Sequence, residues 1–204
     1  MAIQKYTGNG GIKAMFEKLR SVYDFKKVVC ESEDRTADDA TWQLWVSDEV
    51  FIRYQGGKTH GWGDMRTELI TEPFIPVVSG EDLRTWNIVK TDSGVAFFVS
   101  GQNAPLFISS TLSSAGTASV GLVSKTTSGS WRVITDGMSS SSQDPKINAN
   151  IHGTYTQLCN IINPLNDLYF PNLYAAQWIT TTSEQNIMID GTKYYSNAGI
   201  ALKE

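Results

Sequence analysis

Histidine and cysteine are scarce in this chain, with two of each among 204 residues. The residue types that most often ligate transition metals or act as general bases are therefore in short supply. Cys30 and Cys159 lie far apart in unlike surroundings, which favours two buried thiols in a reducing cytoplasm over a disulfide. Charge is also low. Only 19% of residues are Asp, Glu, Lys or Arg, and Ser, Thr, Asn and Gly fill the gap, a balance suited to strands and polar turns. Net charge is −4 and the pI is near 5.2, with Lys26-Lys27 the only adjacent basic pair. Nonspecific nucleic-acid binding needs a basic face that displaces counterions, so no nucleic-acid partner is expected. The longest wholly apolar run is Val95-Ala96-Phe97-Phe98-Val99, far short of the roughly 20 residues of a spanning helix, so membrane insertion is not expected either. The opening residues have no apolar h-region, and Ala2 excludes a myristoylation motif.

What is present reads as architecture. The length favours one domain over residues 1–204, and a hydrophobic content of 41% is enough to fill a core. Ile12, Met15, Phe16, Leu19 and Val22 recur at helical spacing, so residues 10–22 are expected to form an amphipathic helix, with Asn9 as N-cap. Its apolar stripe must lie on a sheet. Phe25 to Cys30 reads as a first strand, followed by an acidic loop from Glu31 to Asp39. Thr41 to Val46 and Val50 to Tyr54 read as a hairpin with aromatic cross-strand pairs. Residues 56–65 are a glycine-rich loop, and Pro73 and Pro76 exclude a regular central strand.

From Trp86 a meander is expected: Trp86 to Lys90, Val95 to Val99, Leu106 to Ser110, Ala118 to Ser124 and Trp131 to Thr135. Turns fall at Asp92-Ser93-Gly94, Gly129 and Asp136-Gly137. Such a succession argues an antiparallel sheet rather than βαβ units. The serine tract within 139–150 reads as a mobile loop or as a link to a C-terminal arm. Pro164 and Pro171 are expected to keep the following stretch irregular, and Gln177 to Thr181 is a candidate strand. The strongest local signal is Asp190-Gly191 between two apolar-aromatic runs. A type I′ turn needs positive φ at both central residues, so a terminal hairpin is expected within 186–202, with Tyr194 or Tyr195 packed on the sheet. The fold class expected is α+β and β-rich: an antiparallel sheet or sandwich with an N-terminal amphipathic helix packed on it.

No constellation reaches the standard of a site, and no catalytic, cofactor-binding or metal-ligating residue is assigned. Gly57-Lys58-Thr59 lacks the glycine five residues earlier that a phosphate loop needs; Ile52 stands there. His60 with Asp64 suggests a general-base pair, yet no nucleophile elbow accompanies it. His152 has no ligand-spaced neighbours. The acids Glu31, Glu33, Asp34, Asp38 and Asp39 lack the EF-hand order and its central glycine, so they read as a solvated loop. Trp42, Trp45, Trp86 and Trp131 sit in strand-like runs, where large rings usually fill cores or interfaces. Trp62, on its glycine-rich loop, is the one expected to be exposed.

The order of these pieces resembles small structural proteins of tailed bacteriophages and prophages. The likeness lies in the helix Ile12 to Val22 leading into Phe25, and in the closing hairpin Asn186-Ile-Met-Ile-Asp-Gly-Thr-Lys-Tyr-Tyr followed by Gly199-Ile-Ala-Leu202. The Ser/Thr/Asn-rich texture between them is similar too. The resemblance implies a non-enzymatic virion subunit of tail, neck or baseplate type, made in the bacterial host cytoplasm. Its partners would be copies of itself and other particle proteins. A carbohydrate- or host-receptor-binding module is the alternative.

Overall fold

A computed structural model describes residues 3–57, 63–69, 72–80, 85–99, 105–125, 131–136, 138–140, 147–152, 155–163, 166–175 and 184–204. These form antiparallel β-structure with one short helix. The chain opens on strand β1 (Gln4–Gly8) and helix α1 (Gly11–Val22). Then follow β2 (Lys27–Cys30), β3 (Thr41–Trp45), β4 (Val50–Gly56), β5 (Gly63–Leu69) and β6 (Glu72–Gly80), which pair in chain order as a five-stranded meander. The remaining strands are β7 (Trp86–Thr91), β8 (Gly94–Val99), β9 (Leu106–Ser113), β10 (Ala118–Lys125), β11 (Trp131–Thr135) and β12 (Met138–Ser140). After them come β13 (Ile147–His152), β14 (Tyr155–Asn163), β15 (Asn166–Ala175), β16 (Gln185–Ile189), β17 (Thr192–Asn197) and β18 (Ile200–Lys203).

These twelve strands and β1 make a second, 13-stranded sheet along the path β1-β7-β8-β9-β15-β18-β17-β16. The strands β10, β11 and β12 branch from β9, and β13 and β14 from β15. The two ends of the path approach each other through side chains, with no ladder between them among the described residues. Lys5 of β1 forms an ion pair with Glu184, the residue preceding β16, and its ammonium lies 5.9 Å from the centre of the Tyr195 ring. The sheet therefore curls back on itself.

The middle of this sheet is apolar on both faces. Side chains alternate across a strand with period two, and here both halves of the alternation are hydrophobic. Ile88, Val95, Phe97, Leu106, Ile108, Leu122 and Ile134 enter one core, shared with Ile12, Met15, Phe16 and Leu19 of α1 and with Leu44, Ile52 and Tyr54 of the meander. Val89, Ala96, Phe107, Val123 and Val133 enter the other, with Phe170, Leu173, Tyr195, Ile200 and Leu202. Register agrees with the division: Ile88 faces Phe97 and Val95 faces Ile108, while Val89 faces Ala96 and Ala96 faces Phe107. Each large side chain so buried contributes about 1.5–3 kcal/mol.

Local chemistry explains several departures from expectation. The N-cap of α1 is Gly10, in left-handed conformation with φ 116°, and no side chain caps the helix. Asn9 is not the cap because its Oδ1 accepts from the Thr85 hydroxyl at 3.0 Å. The first strand of the meander begins at Lys27 rather than Phe25, whose side chain is buried in the core beneath α1. Strand β1, which sequence did not indicate, exists through its ladder to β7. Pro73 and Pro76 lie on β6, the outermost strand of the meander among the described residues, where the ladder to β5 slips twice. An edge strand tolerates the missing N–H.

Pro171 does not prevent a strand. It sits in β15 between the residues paired to β9 (Leu168 and Tyr169) and those paired to β18 (Leu173 to Ala175), where no ladder needs its donor. Within 139–150, Ser139 and Ser140 pair with β11 and Ile147 begins β13; residues 141–146, the candidate strand at 177–181 and the turn at Gly129 lie outside the described residues. At the terminal hairpin, Asp190 and Gly191 have φ of 47° and 76°, as a type I′ turn requires. Tyr194 and Tyr195 are both buried. A second such turn follows at Ala198 and Gly199, with φ of 51° and 78°.

A single carboxylate ties the two sheets at one corner. Asp136 accepts from the Ser47 hydroxyl and from the Glu49 N–H (3.3 Å) in the β3–β4 turn, and from the Ser119 hydroxyl in β10. Ser47 in turn accepts from Val50 N–H at 3.0 Å. Asp136→Ala should cost about 1–3 kcal/mol by leaving those donors unsatisfied. Asp136→Asn keeps one carbonyl acceptor and should cost less, as read from urea unfolding.

Two glycines give a contrasting pair. A Cβ at Gly94, where φ is 157°, would lie 2.1 Å from the Ile108 carbonyl oxygen, which the β8–β9 ladder holds in place. Gly191→Ala meets nothing within 4 Å and bears only the left-handed penalty of about 1–2 kcal/mol. Gly94→Ala should therefore lower the urea midpoint more than Gly191→Ala.

Candidate functional site

The outer flank of α1 and the acidic loop enclose a cleft of about 140 Å³ above β3 and β4. The loop is held by short-range chemistry. Asp34 Oδ1 accepts from the Thr36 N–H (2.8 Å) and hydroxyl (2.7 Å), which holds the Asp34 carboxyl below its ordinary pKa. Its far end is fixed to the meander by Gly56 N–H donating to Ala40 O at 3.1 Å. Lys13 of the helix reaches Asp38 of the loop at 2.7 Å, so the two walls are joined by an ion pair.

The floor of the cleft is aromatic. Phe16 stacks on Tyr54 with ring centres 4.3 Å apart, and Trp42 sits 6.1 Å from Phe16 at a tilt. Arg20 covers Trp42, its guanidinium carbon 4.8 Å from the ring centre. Arg35 and Glu17 complete the rim. The space is well below the ~300 Å³ of a typical ligand pocket. It suits one small polar group.

The other surface features are the sheet margins. Among the described residues, two large hydrophobic side chains are exposed: Val28 at 42% and Met188 at 59%. Val28 lies on β2, the first strand of the meander, and Met188 on β16, where the curled sheet ends. Trp45 and Phe51 form the stacked cross-strand pair of the β3–β4 hairpin, with ring centres 4.5 Å apart.

The residues singled out in the sequence fall in different places. Lys58, Thr59, His60 and Trp62 lie outside the described residues. Asp64 is on β5 opposite Gln55, and His152 ends β13 opposite Tyr155. Cys30 is a free, half-buried thiol that donates to Ser32 O at 3.5 Å. The loop acids are engaged singly: Glu31 with Arg53 and Gln43, Asp34 with Thr36, Asp38 with Lys13. No group of three or more His, Cys, Asp or Glu side chains converges among the described residues. Trp86 is buried, whereas Trp42 and Trp45 are half-buried. Sequence reasoning missed the cleft residues Lys13, Arg20 and Arg35; the one available signal was that all three lie on the helix or in the acidic loop.

The fold thus defines a β-rich antiparallel protein with a small aromatic-floored cleft and two sheet margins that each expose one hydrophobic side chain. No family model, curated protein or solved structure matches the chain. No helix among the described residues is long and apolar enough to cross a membrane.

Two tyrosines away from these features have raised pKa values. Tyr23 caps the C-terminus of α1, and burial followed by the Asp24 charge pushes its phenol to about 12. Tyr194 in the terminal hairpin is pushed to about 12 by burial and then by Tyr174. Below pH 10 these phenols are neutral in both folded and unfolded chains, so their contribution is fully present. Between about 10 and about 12 only the unfolded chain releases the protons, so stability should fall across that window. Melting temperature against pH, with ultraviolet titration of tyrosinate, reads it.

Proposed function

We propose that this chain is a non-enzymatic structural subunit that works by protein–protein assembly, of tail, neck or baseplate type in a phage or phage-like particle. The observation that carries assembly is the placement of Val28 and Met188, both exposed and each on an end strand of its sheet among the described residues. An edge strand presents a row of main-chain N–H and C=O groups, a ready template for pairing with another chain, and an exposed apolar side chain beside that row adds a contact point. The two edges differ in their protection. Lys27 stands beside Val28 within β2, whereas β16 itself carries no charged residue and is bordered by the acids Glu184 and Asp190. Lysines oppose edge pairing, so β16 is the principal contact strand and β2 the lesser.

In this reading the helix, packed on the sheet, is an internal brace. Its buried stripe belongs to the core shared by both sheets, which leaves the margins as the contact surfaces. A neighbouring subunit adds a strand at β16, with main-chain bonds giving affinity and Met188 giving selectivity. The particle type follows from the resemblance in the order of helix, strands and closing hairpin.

By analytical ultracentrifugation the chain should sediment as species larger than its 22.5 kDa monomer, alone or with particle proteins. Met188→Lys should weaken that association by about tenfold or more, equivalent to about 1.4 kcal/mol, and Val28→Lys by less. A chain that stays monomeric at every concentration and is missing from purified particles would end this reading.

A further inference from the structure

Arg20 is positioned more tightly than its exposure requires. Its guanidinium lies 4.8 Å from the Trp42 ring centre and 5.7 Å from that of Phe16. Stacking uses the faces of the guanidinium and leaves the N–H donors around its edge. No ion pair takes up those donors among the described residues. Asp38 is bonded to Lys13 and Glu31 to Arg53, while Glu17, one turn back on the helix, is not within ion-pair distance of Arg20. Arg35, on the facing loop, forms no ion pair among the described residues either. Three cations, Lys13, Arg20 and Arg35, thus line the cleft against two acids, Glu17 and Asp38, in a chain whose net charge is −4.

We propose that this cleft is an oxyanion-binding site in which Arg20 is the recognition group. The Arg20 fork takes two oxygens of a carboxylate or phosphate, and Arg35 closes on the same group from the loop. Contact with Trp42 restrains the guanidinium in advance, so less side-chain freedom is lost on binding. The aromatic floor removes water from one side, which strengthens the charge-assisted hydrogen bonds. A space of about 140 Å³ admits the anionic group itself and leaves the rest of its bearer outside. The site is separate from the β16 margin and stands without the assembly reading.

The test is a titration of the full chain, at constant ionic strength, with inorganic phosphate and separately with glutarate. The Trp42 indole N–H and the Arg20 Nε–H are followed by NMR. Both signals should shift saturably, and the tighter of the two ions distinguishes a tetrahedral from a planar oxyanion. Arg20→Gln preserves helix propensity and should weaken binding of the preferred ion at least ~10-fold, or about 1.4 kcal/mol. Arg20→Lys keeps the charge but loses the fork, and should weaken it several-fold. Lys193→Gln, on the terminal hairpin, should leave it unchanged. The proposal is overturned if neither ion gives a saturable shift, if Arg20→Gln binds as the wild type does, or if Lys193→Gln weakens binding as much.

Discussion

The structure depends on a sheet that must be covered twice. Strands β7 to β11 present apolar side chains on both faces, so neither face can be left in water. One shares its core with side chains of the five-stranded meander and of the N-terminal segment, the other with β15 and the closing strands β17 and β18. This requirement explains the order of the chain: a covering layer comes first, the two-faced strands follow, and the second covering layer comes last. It also removes the usual guide to register. Where one face is polar, a one-residue slip exposes the core and is rejected. Here a slip exchanges one apolar face for another, and discrimination falls to size, with Phe97 and Ile88 paired on one side and Ala96 and Val89 on the other.

Three devices supply the specificity that the apolar pattern does not. Glycine at position 94 brings β8 against the carbonyl of Ile108, a closeness no other residue permits. At position 121, a Cβ would lie 2.8 Å from the Phe170 ring, so the second layer is seated on a notch in β10. The Asp136 bonds then fix the corner where meander and curled sheet meet. Ladder, notch and corner all reject a shifted register, each through contact geometry rather than solvent exposure.

Much of the fold was legible in the sequence because periodicity is a local property. Ile12, Met15, Phe16 and Leu19 announce the helix, and Asp190-Gly191 announces its turn, whatever the rest of the chain does. Strand β1 was not legible, since Gln4-Lys5-Tyr6-Thr7-Gly8 has little apolar pattern and owes its state to β7. Nor was the turn at Ala198-Gly199, because alanine rarely accepts positive φ and is placed there by the β17–β18 ladder. Asn9 lost the N-cap to Gly10 through a partner, Thr85, that is 76 residues away. The cleft was hidden for the same reason. Arg20 and Trp42 lie on a helix and a strand, and their stacking exists only once the tertiary fold has placed them.

The ion pair between Lys5 and Glu184 spans 179 positions of sequence, and it marks where the curled sheet returns to its start. During synthesis the first strand leaves the ribosome long before the residues that meet it. It can pair with β7 early, yet Ile3, which packs in the second core, has no complete surface to cover until the last twenty residues have emerged. Contacts of such long range are formed late and slow folding. The second core around Ile3 is therefore closed only when the hairpin of β16 and β17 and the strand after it have folded onto it.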